Sequence, residues 1–213
     1  MTSIYRRANL GVRTNLRLWE AWMSARIPLP AVDELRADVA ELLPLTAPTG
    51  REPARNMAVL ARQPDLLSPF LSWAAALGLN GVLPKRDHEL LALRVAWNCR
   101  STFEWSEHAE FARTAGLTDD EIAAIARGPA AGSWIVHEAA LLRVADELQA
   151  AYNTADETWD VLAAHYDISQ LVEIIFVVGQ YTMLSMVANC AGIEPEPGLQ
   201  PLPELDSPQG SSD

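Results

Sequence analysis

The sequence predicts an all-α fold. Apolar residues recur with helical spacing through most of the 213 residues, whereas no segment shows the bounded alternation of apolar and polar residues that is typical of strands. Ser101 and Glu104 have the spacing of a helix capping box, and so do Thr118 and Glu121. Gly116 lies between the two boxes and supplies a helix stop. A helix that begins at the first box and ends before this glycine is therefore predicted.

The same periodicity places further helices on both sides of this one. Predicted helices span 14–26, 31–43, 52–62, 65–78, 84–99, 101–115, 118–127, 133–152, 155–166 and 168–191. The helix breakers at 43–50 interrupt the bundle near its start. We expect an N-terminal arm with one helix at 1–30, a helical domain at 31–193 and a Pro-rich acidic tail at 194–213 that is disordered.

Charge and cysteine content limit the partners that this protein can have. Sixteen basic and 28 acidic residues give a net charge of -12, which opposes contact with nucleic acid or an anionic membrane. The most apolar stretch, 174–188, is shorter than a membrane span. No apolar signal region follows the Arg-rich start, so we expect a cytoplasmic protein. Cys99 and Cys190 lie far apart and predict no disulfide framework.

Three polar residues lie on one face of the helix predicted over 101–115. Ser101, Glu104 and His108 are spaced i, i+3 and i+7. One reading is structural: Ser101 and Glu104 cap the helix, and Glu104 with His108 forms a surface pair. The other is chemical: two proton-exchanging groups on a partly buried face can act as acid and base. Phe103, Trp105 and Phe111 are expected to pack on other faces.

The sequence at 88–98 and 101–118, followed by Val178-Gly179-Gln180-Tyr181-Thr182-Met183-Leu184, resembles the carboxymuconolactone decarboxylase and alkylhydroperoxidase D family. The resemblance covers roughly residues 31–198 and implies that family's helical bundle and a homo-oligomer, with a trimer or hexamer expected before a dimer.

The resemblance also assigns positions to the family's redox motif. That motif is Cys-x-x-Cys-x-x-x-His, with a glutamate twelve residues before the first cysteine. Counting back from His108 places Glu104 and Ser101 at the two cysteine positions and Glu89 at the glutamate position. Cys99 lies two residues before the first of them. Because thiol peroxidase chemistry needs two sulfurs within reach, the resemblance implies a non-redox member.

The resemblance implies a cofactor-independent lyase with Glu89, Glu104 and His108 as catalytic residues. Ser101, Trp105, Gln180 and Tyr181 are the expected substrate-binding residues. The implied substrate is a carboxylated lactone or related small organic acid of aromatic or secondary metabolism, and the implied reaction is decarboxylation.

Several alternatives stay open at this point. The chain could be a non-catalytic member that binds a ligand or stabilises an assembly, which predicts exposed and unperturbed carboxyls. Residual peroxidase activity through Cys99 would require an exposed thiol near a base. A metal site could be built from the three candidate catalytic residues, although no second histidine has suitable spacing. We expect none.

Two further expectations concern residues outside this set. His88 is about 100° from Glu89 around its helix, which predicts a rim or solvent position, and His137 and His165 are expected on the surface. A polar stripe on the last helix recurs every four residues and is expected to face a neighbouring subunit, with a pocket wall as the alternative. The stripe consists of Tyr181, Ser185 and Asn189.

Overall fold

The structure is a computed structural model that describes residues 25–46, 53–132 and 134–204. Within these ranges it has nine α-helices and no strand, which confirms the predicted fold class. The helices are α1 (Ala37–Leu42), α2 (Arg55–Leu60), α3 (Pro64–Gly78), α4 (Lys85–Asn98), α5 (Thr102–Thr114), α6 (Asp119–Arg127), α7 (Val136–Ala151), α8 (Asp156–His165) and α9 (Ile168–Ala191). The helix predicted over 14–26 falls largely outside the described residues, as do 47–52 and 205–213.

The helix predicted over 31–43 is wrong in its continuity. The chain forms a 3₁₀ turn at Val32–Glu34, is extended at Arg36, and only then enters α1. A second 3₁₀ turn, Leu43–Thr46, follows directly. Pro44 lies in this turn, and because proline lacks an N–H it cannot continue an α-helical hydrogen-bond ladder.

Helix α4 is the centre of the bundle. It packs against α5, α6, α7 and α9, and nearly all of its residues are buried. Its sequence is apolar on most faces from Leu90 to Trp97, as expected for a helix that is surrounded by others. Polar side chains near its start are therefore buried as well, and Glu89 is one of them.

A short connection joins α4 to α5 and makes them a helical hairpin. Arg100 adopts a left-handed conformation with φ of 54°, and its guanidinium lies 4.2 Å from the centre of the Trp97 ring. Ser101 then caps α5 by accepting a hydrogen bond from the backbone N–H of Glu104 at 3.4 Å. This tight reversal brings the first half of α4 next to the middle of α5.

The two capping-box predictions have different outcomes. Thr118 and Glu121 form the full reciprocal box at the start of α6. Ser101 and Glu104 form half of one, because the Ser101 N–H bonds to the carbonyl of Ala96 and the Glu104 carboxylate points elsewhere. The Glu104 side chain is thus available for another role.

The tail is packed where the sequence predicts disorder. Over 194–204 it lies on the bundle: Arg55 donates to the carbonyl of Glu194 at 2.8 Å, and the Ser106 hydroxyl donates to the carbonyl of Gln200 at 2.7 Å. Leu202 packs against the core. Prolines restrict the extended backbone, and side chains of the bundle supply the hydrogen bonds that a sheet or helix would otherwise supply.

The polar stripe of α9 is divided between the interior and the surface of the chain. Ser185 is fully buried and Tyr181 nearly so, whereas Asn189 is exposed and donates to the carbonyl of Cys99 at 2.8 Å. Ser185 and Tyr181 are therefore not available for a subunit contact, and a contact through Asn189 stays a prediction. Helix α9 is the one described helix that is long and apolar enough to cross a membrane by length and composition, yet 56% of that apolar window is buried inside the chain. A core helix of a soluble protein has the same character.

Candidate active site

A buried hydrogen bond between Glu89 and His108 connects α4 to α5. Nδ1 of His108 lies 2.7 Å from Oε2 of Glu89, and both side chains are largely shielded from solvent. A hydrogen bond at Nδ1 fixes the ring and directs Nε2 to the other side, the arrangement by which a carboxylate orients a catalytic imidazole. The helical hairpin produces this contact because it aligns the two helix faces.

Glu104 lies on the Nε2 side of the same imidazole. Its Oε2 is 3.9 Å from Nε2 of His108, and its Oε1 accepts a hydrogen bond of 3.1 Å from the amide of Asn56 on α2. With 2% of its surface exposed, Glu104 loses the hydration that would stabilise its anion. This burial raises its pKa to about 6, against the opposing influence of His108 and Asn56.

The pKa of His108 lies above its ordinary value. Burial alone would lower it, but the charge of Glu89, the hydrogen bond from Nδ1 to the same carboxylate and the charge of Glu104 together outweigh burial. The Glu104 carboxyl, with a pKa of about 6, therefore faces an imidazole whose pKa is raised. They meet at Nε2, where a reacting atom could contact either group.

His88 is not on the rim or in solvent, and that expectation is wrong. Its side chain is buried, and its Nε2 lies 2.8 Å from the hydroxyl of Tyr181 on α9. Burial lowers the pKa of His88 to about 4, which leaves the ring neutral near pH 7. His88 points away from Glu89 as its helical position dictates, but α9 covers that face of α4.

A cavity of about 200 Å³ lies beside this cluster. The His108 ring packs edge-on against both Phe111 and Tyr181, with ring centres 5.4 and 4.4 Å apart. The polar lining is Thr46, Asn56, Glu104, Glu107, His108, Gln180 and Tyr181; the larger apolar lining is Met57, Phe70, Phe103, Phe111 and Leu184. Proton-exchanging groups thus border a space of small-molecule size.

The structure separates the predicted site residues into two groups. Glu104, His108, Gln180 and Tyr181 line the cavity, and Glu89 supports His108 from behind. Two expected substrate-binding residues do not line it. Ser101 is a fully buried cap, and Trp105 is buried in the core with its ring centre 6.2 Å from that of Trp97.

Sequence reasoning missed several lining residues. Glu107 and Phe111 share the face of Glu104 and His108 by their i, i+3, i+4 and i+7 spacing, so the helical period could have identified them. No local signal could identify Asn56, because it lies 48 residues before Glu104 and meets it only through packing of α2 on the hairpin.

Among the described residues, no group of three or more His, Cys, Asp or Glu side chains has the arrangement to hold a metal ion. Cys99 is half-buried at the end of α4, and its sulfur accepts a hydrogen bond of 2.9 Å from Gln149. Burial raises the pKa of the Cys99 thiol, which disfavours the reactive thiolate. Cys190 is exposed on α9.

The sequence profile of the carboxymuconolactone decarboxylase family matches residues 64–147, which include α3 to α6 and most of α7. The hairpin that carries Glu89, Glu104 and His108 lies within this segment. This segment of the chain is therefore similar to the carboxymuconolactone decarboxylase family. No curated protein sequence matches it.

Solved structures agree with this assignment at the level of the fold. A peroxidase-related protein with an alkylhydroperoxidase AhpD core from Ralstonia eutropha is 18% identical, with a TM-score of 0.71 over 81% of this chain and 93% of that one. A peroxidase-related protein from Silicibacter is 14% identical, with a TM-score of 0.68 over 83% and 90% of the two chains. The debrominase Bmp8 in complex with 2,3,4-tribromopyrrole is 15% identical, with a TM-score of 0.67 over 82% and 94%.

Proposed function

We propose that this carboxymuconolactone decarboxylase-like protein is a non-redox, cofactor-independent enzyme that moves protons on a small organic molecule. The observation that carries the proposal is the buried array of Glu89, His108 and Glu104 beside a cavity of about 200 Å³. Such an array places two proton-exchanging groups next to one reacting centre.

The geometry supports a division of roles. With Nδ1–H held by the Glu89 carboxylate and its pKa raised, His108 holds a second proton at Nε2 that it can deliver to the substrate. Glu89 stabilises this imidazolium. Glu104, whose pKa of about 6 leaves it largely ionised at neutral pH, can accept a proton from another position of the substrate. One proton leaves and one is delivered, so the net reaction is an isomerisation or an exchange.

Decarboxylation of a carboxylated lactone or related small acid is the more specific candidate implied by the family. The raised pKa of His108 is compatible with it, because an imidazolium can deliver a proton to the carbon that loses carbon dioxide. The bond from the substrate carbon to the carboxylate then breaks, carbon dioxide leaves, and the electron pair that remains on carbon takes a proton from His108 or Glu104.

Burial and charge also argue against the two rival functions. A purely structural site predicts exposed and unperturbed carboxyls, yet Glu89 and Glu104 are both buried and the pKa of Glu104 is raised. A thiol peroxidase needs a low-pKa cysteine, whereas the pKa of Cys99 is raised by burial. The same burial argues against the surface-pair interpretation of Glu104 and His108.

The test measures proton transfer in variants of the array. Glu89→Gln and His108→Asn retain approximate size and polarity but cannot exchange a proton in the same pH range. Each is expected to lower turnover by about two to four orders of magnitude while the melting curve remains cooperative. Turnover is measured by NMR as deuterium incorporation from solvent into small lactones and enolisable ketones, and as carbon dioxide release from their carboxylated counterparts.

Matched controls lie on the surface of α8. Glu157→Gln and His165→Asn make the same chemical changes at exposed positions and should leave turnover unaltered. Near-wild-type turnover in both Glu89→Gln and His108→Asn would contradict the acid/base site. If the wild type binds these lactones, ketones or carboxylated compounds but neither incorporates deuterium nor releases carbon dioxide, the ligand-binding alternative is favoured instead.

A further inference from the structure

The charge of the cavity wall restricts what can bind there. Glu104 and Glu107 contribute carboxyls, and none of the described residues that line the cavity is a lysine or arginine. His108 can carry a positive charge, but Glu89 already pairs with it at 2.7 Å. Among the described residues of the wall, a ligand carboxylate would therefore meet no cation of its own, and its desolvation cost would be high. This described part of the wall favours an uncharged ligand.

A chain of hydrogen bonds fixes the polarity of one point on this wall. Nε2 of the neutral His88 lies 2.8 Å from the Tyr181 hydroxyl, which keeps its proton because its pKa is raised by burial and by Glu89. The Gln180 side chain acts on the same hydroxyl as a hydrogen-bond donor that lowers the Tyr181 pKa, and the only donor of that side chain is its NH₂ group. The NH₂ end of the amide is thus assigned to Tyr181, which leaves the other end, Oε1, as an acceptor.

Oε1 of Gln180 is buried and accepts no hydrogen bond from the part of the chain that the structure describes. Gln180 itself is 5% exposed and lines the cavity. A buried acceptor without a donor is destabilising, and native proteins rarely leave one without a purpose. A ligand N–H or O–H would satisfy it.

The size and the aromatic side chains of the cavity define the rest of the ligand. Its volume of about 200 Å³ is somewhat larger than the apolar cavity of roughly 150 Å³ that accommodates benzene in another protein. Phe70, Phe103 and Phe111 supply ring faces and edges for a flat partner. A single substituted ring fits this space.

From these observations we infer that the cavity binds an uncharged single-ring compound with one N–H or O–H donor, such as a phenol, an enol or an azole, and that Gln180 Oε1 accepts from this donor. The inference rests on the proposed proton-transfer function, since it names the substrate class of the same site, and it favours isomerisation or proton exchange over decarboxylation. It also gives the substrate an acidic proton that Glu104 can remove.

The test compares three probes that differ in one property each. Phenol has a ring and a donor, anisole has the ring without the donor, and benzoate has the ring with a negative charge. At neutral pH, calorimetry or ligand-observed NMR should show phenol binding about tenfold more tightly than anisole, which is the effect of one hydrogen bond to a buried acceptor. Benzoate should bind more weakly than phenol.

A matched pair of variants locates the acceptor. Gln180→Met keeps the length of the side chain and removes the amide, so phenol should bind it no more tightly than anisole does, while anisole affinity is retained. Gln63→Met makes the same change at an exposed residue and should preserve the preference for phenol. Melting curves establish that each variant is folded, and the comparison of probes in the wild type needs no variant.

The inference is overturned if wild-type protein binds anisole as tightly as phenol, binds benzoate more tightly than phenol, or fails to bind phenol at millimolar concentration.

Repeating the comparison in His108→Asn separates this inference from the proposed function, because the preference for phenol depends on Gln180 and should persist in that variant. If turnover depends on His108 but phenol is not preferred over anisole, the inference alone is defeated. If phenol is preferred but turnover does not depend on His108, the catalytic proposal is defeated and the inference stands.

Discussion

Burial of Glu104 controls the proton chemistry of this site. The side chain contacts Asn56 on one side and faces Nε2 of His108 on the other. The resemblance assigns this position to a cysteine of the redox motif, so a carboxyl stands beside His108 where that motif has a thiol. Because desolvation raises its pKa to about 6, Glu104 can donate or accept a proton under ordinary cellular conditions.

The same burial makes folding stability depend on pH. The folded protein binds the Glu104 proton more tightly than the unfolded chain, whose carboxyl titrates at its ordinary value of 4.5. The stabilisation from this proton is therefore fully present below pH 4.5 and is lost as pH rises through about 6. The interval from 4.5 to 6 corresponds to about 2 kcal/mol.

We expect Glu104→Gln, which keeps an acceptor for Asn56 but cannot ionise, to avoid this loss. Relative to the wild type, the variant should gain about 2 kcal/mol in free energy of unfolding between acidic and neutral pH, measured by urea denaturation at both. Glu157→Gln, at an exposed site, should show no such gain. An equal difference between Glu104→Gln and wild type at both pH values would contradict the buried, proton-binding carboxyl.

Hydrogen bonds to the Glu173 carboxylate, here called the Glu173 clasp, position the start of α4. Glu173 on α9 accepts hydrogen bonds from the backbone N–H groups of Val82 and Leu83, at 2.7 and 3.1 Å, in the turn that leads into α4. These two bonds tie the start of α4 to α9, and so hold Glu89 and His88 in register with Tyr181. Gly81 lies next to the Glu173 carboxylate, and a residue with a Cβ would not fit at this position.

Gly81→Ala tests the clasp. A Cβ at this position would lie 2.3 Å from Oε1 of Glu173 and 2.4 Å from the carbonyl oxygen of Leu77, so at least one of them must move. We expect destabilisation of about 1–3 kcal/mol in thermal or urea unfolding, typical of overpacking. The control is Gly78→Ala in the last turn of α3, where no atom lies within 4 Å of the added Cβ and the change should be neutral or slightly stabilising. Equal stability of the two variants would contradict the tight fit.

At the scale of the whole molecule, α9 presents an exposed apolar stripe on the side opposite the site. The stripe consists of Ile168, Val172, Ile175, Phe176, Met183 and Met186, all more than a third exposed in the single chain. Contiguous apolar surface of this kind is characteristic of protein interfaces. The homo-oligomer expected from the sequence therefore has a candidate surface, although not the polar stripe that the sequence first suggested.

We expect the protein to form a homo-oligomer, a trimer or hexamer before a dimer, through this stripe. Light scattering at low micromolar concentration should give a mass that is a multiple of the 23.3 kDa chain. Met186→Glu places a charge in the stripe and should shift the mass toward the monomer, because burying an unpaired carboxylate is costly. Val136→Glu, the same kind of change at an exposed site at the start of α7, should leave the mass unaltered. A monomeric wild type would contradict the interface.

Local sequence patterns determined most of the helices and one of the site's contacts in outline. Helical period, glycine stops and caps act over a few residues, which is why the α5 and α6 boundaries and the shared face of Glu104 and His108 could be predicted. The resemblance then supplied Glu89, and the structure places this residue at hydrogen-bond distance from His108.

Only the tertiary structure decided which polar groups meet across distant segments. Asn56 with Glu104, His88 with Tyr181, and Glu173 with the turn before α4 are each separated by 48 residues or more. The same holds for the burial of His88, for Trp105 as a core residue and for the packed segment at 194–204. The physical reason is that periodicity assigns a residue to a face of its own helix, whereas packing of another helix on that face decides whether the residue is exposed to solvent, buried or hydrogen-bonded.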